Sequence, residues 1–284
     1  MNFRYNSKHR SIAPEGRTAV TMERNMHSVL GNLIADLSAV RNEQIGALDS
    51  FALTEASIEI SPSKNRKIKS FEAKTQKLIQ QQMLKTMDYS FDFGQIVFSP
   101  INSDTQFLTL PFDSEWHGGP GVADKDTGRL SVGSLGGNAT FGSGLGLFIS
   151  SPDPVNAYVR ALMPIDYQWG HVIFDRGFTG SSGTVGILVY DSSTGQIVGD
   201  KRATLWDESM WMASMTTTKG EDRVYLTQTK AAEVSFYMAP GKKYQVWFWL
   251  NVHLRTVGLA LVSALIQATI PLVLLNSSPV LKLK

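Results

Sequence analysis

The sequence predicts an α+β chain in which an N-terminal helical hairpin precedes an all-β, two-sheet, jelly-roll-like sandwich. Three observations carry that expectation. Apolar residues recur every three or four positions between Met26 and Met87. From Tyr89 onward, short β-branched and aromatic runs alternate with clusters of Gly, Asn, Asp, Ser and Pro. No internal repeat points to a propeller or solenoid. The 284 residues divide accordingly into a basic flexible arm over 1–17, a helical hairpin over 18–87 and a β-sandwich over 88–284.

Pro14 and Gly16 punctuate the arm before the first periodic segment. In that segment Met26, Leu30, Leu33, Leu37, Val40, Ala47, Phe51 and Ile58 keep heptad a and d spacing, interrupted by Gln44 and Thr54. Two readings fit. One is an oligomeric coiled coil with Leu30, Leu33, Leu37, Val40 and Phe51 as its assembly face. The other is an amphipathic helix lying on its own domain, widened by Ile34, Ile45 and Leu48. Ser61-Pro62-Ser63 breaks this helix, because proline lacks a backbone N–H and disfavours helical geometry at the residue before it. A second helix is expected from about Lys64 to Met87, with Ile68, Phe71, Leu78, Ile79, Met83 and Met87 as its apolar face.

Strands are expected near 90–98, 105–112, 129–134, 144–150, 157–163, 170–175, 184–190, 196–204, 222–228, 232–238, 243–252 and 260–275. Asp191–Gly195 and Pro240-Gly241 carry the turn residues that join them.

A composition of 43% hydrophobic and 18% charged residues is too apolar for a disordered chain. Zero cysteines exclude a disulfide scaffold, a thiol nucleophile, a cysteine-ligated zinc and an iron–sulfur cluster. The net charge of +2 supplies no global drive toward nucleic acid. It is unevenly distributed, however: residues 1–87 hold 13 Lys and Arg against 8 Asp and Glu, and the remainder 14 against 17. The densest basic cluster, Lys64, Arg66, Lys67, Lys69, Lys74 and Lys77, has Phe71 as its one aromatic neighbour and reads as a solvated helix face.

The first 30 residues lack the apolar core of a secretory signal, so the product is expected to be cytoplasmic or released without Sec export. The run Val257–Leu275 is uncharged and about long enough to cross a bilayer. Ser263, Gln267, Thr269 and Pro271 within it favour buried strands, and a membrane anchor or inserted segment is the alternative.

Motifs that carry chemistry are incomplete. His117-Gly-Gly-Pro-Gly121 resembles the oxyanion-hole loop of proline iminopeptidases, but no window matches the Gly-x-Ser-x-Gly nucleophile elbow that such chemistry requires. A surface loop is expected there instead. Asp124-Lys-Asp126-Thr-Gly128 has the opening of a calcium loop without its downstream glutamate, and reads as a polar turn. The five histidines fall at no metal-binding spacing, and Gly142-Ser-Gly144-Leu-Gly146 lacks a phosphate-loop ending and reads as Gly-rich turns and a bulged strand. The acid pairs Asp207-Glu208 and Glu221-Asp222 are expected in solvated loops. No catalytic residue, metal or cofactor is expected.

The most informative segment is Lys243–His253, a strand by alternation. Tyr244, Val246, Phe248, Leu250 and Val252 make a core face, whereas Gln245, Trp247, Trp249, Asn251 and His253 make the other. The second set is too aromatic for open solvent and too polar for a second core. Three covers are open: the helical hairpin, a neighbouring subunit, or a sugar stacked on the indoles. The expected function is a non-enzymatic structural or binding protein that self-associates through its helices and uses the sandwich for recognition of a protein or carbohydrate. A lectin-like module and a membrane-associated protein held through residues 257–275 are the alternatives.

Overall fold

The computed structural model describes residues 62–85, 105–212, 216–225 and 233–280. The basic arm, the first expected helix with Leu30, Leu33, Leu37, Val40 and Phe51, and the expected strand 90–98 lie outside them. The described residues form one helix, α1 (Pro62–Met83). The strands are β1 (Thr105–Thr109), β2 (Ser114–Gly118), β3 (Gly121–Asp124), β4 (Arg129–Leu135), β5 (Ala139–Ser150) and β6 (Val155–Leu162). They continue with β7 (Pro164–Asp191), β8 (Gln196–Met212), β9 (Thr216–Tyr225), β10 (Glu233–Met238), β11 (Lys243–Thr269) and β12 (Leu272–Pro279). The α+β expectation with a helical hairpin is therefore corrected. Among the described residues the chain is mostly β, and its one helix packs on a sheet instead of pairing with a second helix.

Two antiparallel sheets stack as a sandwich. One has the order β1-β12-β6-β10; in the other, β5-β11-β7-β8 face it. Most neighbours in the two sheets come from distant parts of the chain, whereas β7 with β8 and β3 with β4 are hairpin neighbours. The core between the sheets holds Leu147, Ile187, Val246 and Phe248 from one side and Val159, Phe236, Val273 and Leu275 from the other. Phe236 and Tyr244 meet across it with ring centroids 5.7 Å apart.

β7 and β11 are far longer than expected. The separate strands foreseen at 170–175 and 184–190 are one strand, and that foreseen at 243–252 runs on into the one foreseen at 260–275, which itself breaks after Thr269; the two long strands pair from Tyr244↔Asp191 to Ala268↔Ile165. Glycines interrupt the apolar pattern of β7 in sequence, yet they seat rings: Gly183 lies under Trp206 and Gly186 under Trp249. The two strands bend where the register shifts between Gly258 and Ala260, with Gly258 at φ +75°, the left-handed geometry that glycine adopts without a Cβ clash. Beyond the bend β4 and β9 replace β5 and β8 as flanking strands. The bend also lays Tyr167 on Trp206 as a stacked pair, with centroids 5.2 Å apart and planes at 14°.

The apolar run 257–275 forms the second half of β11 and the start of β12, and Val262, Ala264, Ile266, Ala268, Val273 and Leu275 are core residues. No helix among the described residues is long and apolar enough to cross a membrane.

α1 starts at Pro62, where a missing N–H costs nothing because the first helical turn has no intrahelical acceptor to meet. Its buried stripe of Ile68, Ile79 and Met83 faces the sheet, with Ile79 and Met83 packed on Leu265 and Leu135. Sheet side chains reach the carbonyls at its C-terminal end, of which Gln82 O also accepts from the Lys85 N–H at 3.0 Å. Gln267 Nε2 donates to Gln82 O at 2.6 Å, Ser131 Oγ to Met83 O at 3.2 Å and Arg129 to Leu84 O at 3.0 Å.

Candidate functional site

The outer face of β11 is where the sequence places its candidate site, and the structure buries all five residues of it. Gln245, Trp247, Trp249, Asn251 and His253 are no more than 6% exposed, and both indoles are at 1% or less within the single chain. Trp247 stands opposite Gly146; Trp249 stands between Gly144 of β5 and Gly186 of β7; Asn251 faces Gly142. The alternate glycines of β5 thus leave flat ground for the rings. A Cβ at Gly146 would lie 3.0 Å from the Trp247 ring. Gly142–Gly146 is therefore regular strand, not the turns and bulge expected of it.

The polar members of this face are unevenly satisfied. Asn251 Nδ2 donates to Phe141 O at 3.0 Å, and His253 Nδ1 shares a hydrogen with Thr140 Oγ1 at 2.9 Å. Gln245 Nε2 reaches Ser114 Oγ only at 3.5 Å, and its Oε1, like Trp249 Nε1, is buried without a hydrogen-bond partner among the described residues.

The other motifs take structural places. His117 and Gly118 end β2, Gly121 opens β3, and Gly119 turns between them at φ +74°. Asp124 Oδ1 accepts from the backbone N–H groups of Asp126 and Thr127 at 3.0 and 3.2 Å, which closes the β3–β4 turn. Hydrogen bonding from Thr127, the largest influence, holds the Asp124 carboxyl below its ordinary pKa. Asp207 and Glu208 lie on β8, and Glu221 and Asp222 on β9, so these acids are strand residues and not loop residues. No group of three or more His, Asp or Glu among the described residues is placed to hold a metal.

Sequence spacing gave no sign of a buried His171–Ser181–Trp206 network. Trp206 Nε1 donates to Ser181 Oγ at 3.0 Å, which leaves the Ser181 hydroxyl to donate to His171 Nε2, 2.8 Å away. Desolvation lowers the His171 pKa to about 4, so the imidazole is neutral. His171 and Ser181 are 1% and 3% exposed, which closes the pair to substrate.

A trough on the outer face beyond the bend was equally invisible. α1 forms one wall, β9 the other, and β7 and β11 the floor. Its first cavity, about 390 Å³, is lined by Gln82, Asp166, Gln168, Glu221, Leu265 and Gln267 among others. A second, of about 290 Å³, adjoins it through Gln82, Gln168, Glu221 and Leu265 and extends toward Leu78 and Lys219. Gln168 Nε2 donates to Gln82 Oε1, so the helix and sheet sides are bonded across the floor.

No family model matches the chain, and no curated protein matches it. Solved structures give faint likenesses. That of infectious bursal disease virus, Gx strain, aligns at 12% identity and TM-score 0.18 over 68% of this chain and 46% of that one. The enzymatically active domain of bacteriophage CBA120 tailspike protein 4 aligns at 11% identity and TM-score 0.15, covering 59% and 19%. TmCBM61 in complex with β-1,4-galactotriose aligns at 10% identity and TM-score 0.13, covering 61% and 99%. The chain spans less than half the length of the viral protein it aligns with. Scores of this size carry no argument about fold or activity.

Proposed function

We propose that the chain is a non-enzymatic structural or binding protein whose sandwich is a rigid body and whose contacts are made along its edge. The observation that supports this is the burial of β11 on both sides, with the Trp247 and Trp249 face packed within the chain as closely as the core face. At the sandwich edge, β8 pairs with β7 alone and β10 with β6 alone among the described strands. This edge carries Ile197 and Val198 on β8 and Tyr237 on β10, each between 38% and 50% exposed. Exposed apolar side chains along strands with a free hydrogen-bonding side suit self-association by edge pairing. Light scattering on the full-length protein at micromolar concentration tests it. Oligomers that dissociate in Ile197→Lys with Tyr237→Lys support the reading, and a monomeric wild-type protein rejects it.

A lectin-like role has one observation in its favour, the trough. Three amides and three carboxylates around a 390 Å³ cavity are the groups that bond sugar hydroxyls. The site of such a role is the trough and not the sealed indoles. Calorimetry against a glycan panel, with Gln168→Ala as the control, tests it; no heat from any glycan removes this reading.

A further inference from the structure

The solvent side of α1 presents a second surface. At roughly 100° per residue, Arg66, Lys67, Lys74 and Lys77 fall within a sector of about 100° centred opposite Ile68, Ile79 and Met83. All four are exposed. Glu72, the one acid of the helix, lies on the half-buried side toward the sheet. Docking on the sheet thus sorts the helix by charge: the apolar stripe is buried, the acid is turned inward, and a basic ridge interspersed with Ser70 and Gln81 is turned out.

We propose that this ridge binds the phosphate backbone of a nucleic acid. The four cations form two pairs, Arg66 with Lys67 and Lys74 with Lys77. At 1.5 Å rise per residue the pairs stand roughly 10 to 16 Å apart, on the scale of the major groove, which is about 12 Å wide. A helix laid across that groove meets a phosphate row at each pair. Arginine and lysine contact phosphates irrespective of base sequence, so the ridge confers backbone binding and no sequence preference. A lipid surface is the lesser fit, because a membrane-surface helix inserts its apolar face and here that face is packed on Leu265 and Leu135. Nucleic-acid binding at the ridge is compatible with self-association at the β8–β10 edge and independent of it, since the two lie on different elements.

The test is fluorescence anisotropy of full-length protein with a labelled DNA duplex of about 30 base pairs and a single-stranded RNA of similar length, from about 50 to 200 mM salt. Four phosphate contacts on a duplex imply a slope near −3.6 in log affinity against log salt, or about a hundredfold loss over that range. The variant R66Q/K67Q/K74Q/K77Q keeps good helix formers, and its circular dichroism reports that α1 persists. The proposal expects this variant to lose most of the affinity and most of the salt slope. It is overturned if the wild-type protein binds neither probe at low salt, if the variant binds as tightly and as steeply as the wild type, or if only vesicles containing phosphatidylserine are bound.

Discussion

The Trp249 indole lies across Gly186 of the neighbouring strand so closely that a methyl group on Gly186 would stand 2.5 Å from Cζ2 of the ring. The same methyl would be 2.6 Å from the Lys201 carbonyl oxygen, so neither ring nor backbone can yield cheaply. Gly186→Ala is expected to destabilise the fold by about 1 to 3 kcal/mol through overpacking. Urea unfolding followed by tryptophan fluorescence checks it, and an unchanged midpoint would show that Trp249 does not rest on this glycine.

Gln245 on the same face gives the opposite sign. Among the described residues its Oε1 is buried without a partner and its amide makes one long contact. A buried acceptor left unbonded costs about 1 to 3 kcal/mol, so Gln245→Met should leave stability unchanged or raise it. A loss of more than about 2 kcal/mol in the same unfolding assay would contradict the polar accounting of this face.

His171 makes stability depend on pH. Its pKa is about 4 in the fold against an ordinary 6.5, so the unfolded chain takes up a proton first as pH falls. Stability contributed by the neutral ring is complete above about pH 6.5, declines between there and pH 4, and falls no further below. The full decline is worth about 3 kcal/mol, from roughly 1.4 kcal/mol per pH unit of displacement. His171→Gln should flatten the part of the pH–stability curve between 6.5 and 4 relative to wild type. Parallel curves for the two proteins would assign the acid sensitivity elsewhere.

Asp191 ties two turns together. Burial would raise its pKa, but hydrogen bonds from Ser193, Lys242 and Thr194 outweigh that and hold the carboxyl well below its ordinary range. Its stability contribution is therefore present above about pH 4 and lost as pH falls further. Lys242 Nζ bonds it at 2.9 Å but is itself 39% exposed. Asp191→Asn should cost about 1 to 3 kcal/mol, and Lys242→Met, whose ammonium is solvated, less. Equal costs for the two variants would show that the ion pair, and not the turn, is what Asp191 supports.

The sequence disclosed the local physics well. Alternation in Tyr244–Val252 identified a core face, and Asp191–Gly195 and Pro240-Gly241 are turns with Gly195 and Gly241 at positive φ. It misled where a residue type serves two ends. Glycine punctuates loops, and Gly177, Gly180 and Gly183 made β7 look like two strands, whereas Gly183, like Gly186 after it, seats a ring from a neighbouring strand, Trp206 of β8 and Trp249 of β11. The partners of those rings are set by register, which lies between strands and not within any window of the chain. Trp247 and Trp249 read as a face awaiting a helical, subunit or sugar cover for the same reason: the glycines opposite them are some hundred residues away. The trough, too, joins Gln82, Gln168 and Gln267, which no local pattern connects.

The bend at Gly258 has a consequence for how the molecule comes apart. The parts of the large sheet on either side of it have different flanking strands, β5 and β8 before and β4 and β9 after, yet they share β7 and β11 without a break in chain or ladder apart from one bulge. Neither part can melt while the other keeps those two strands ordered along their length. The two regions therefore form one cooperative unit, and calorimetry should record a single heat-absorption peak whose van't Hoff and calorimetric enthalpies agree.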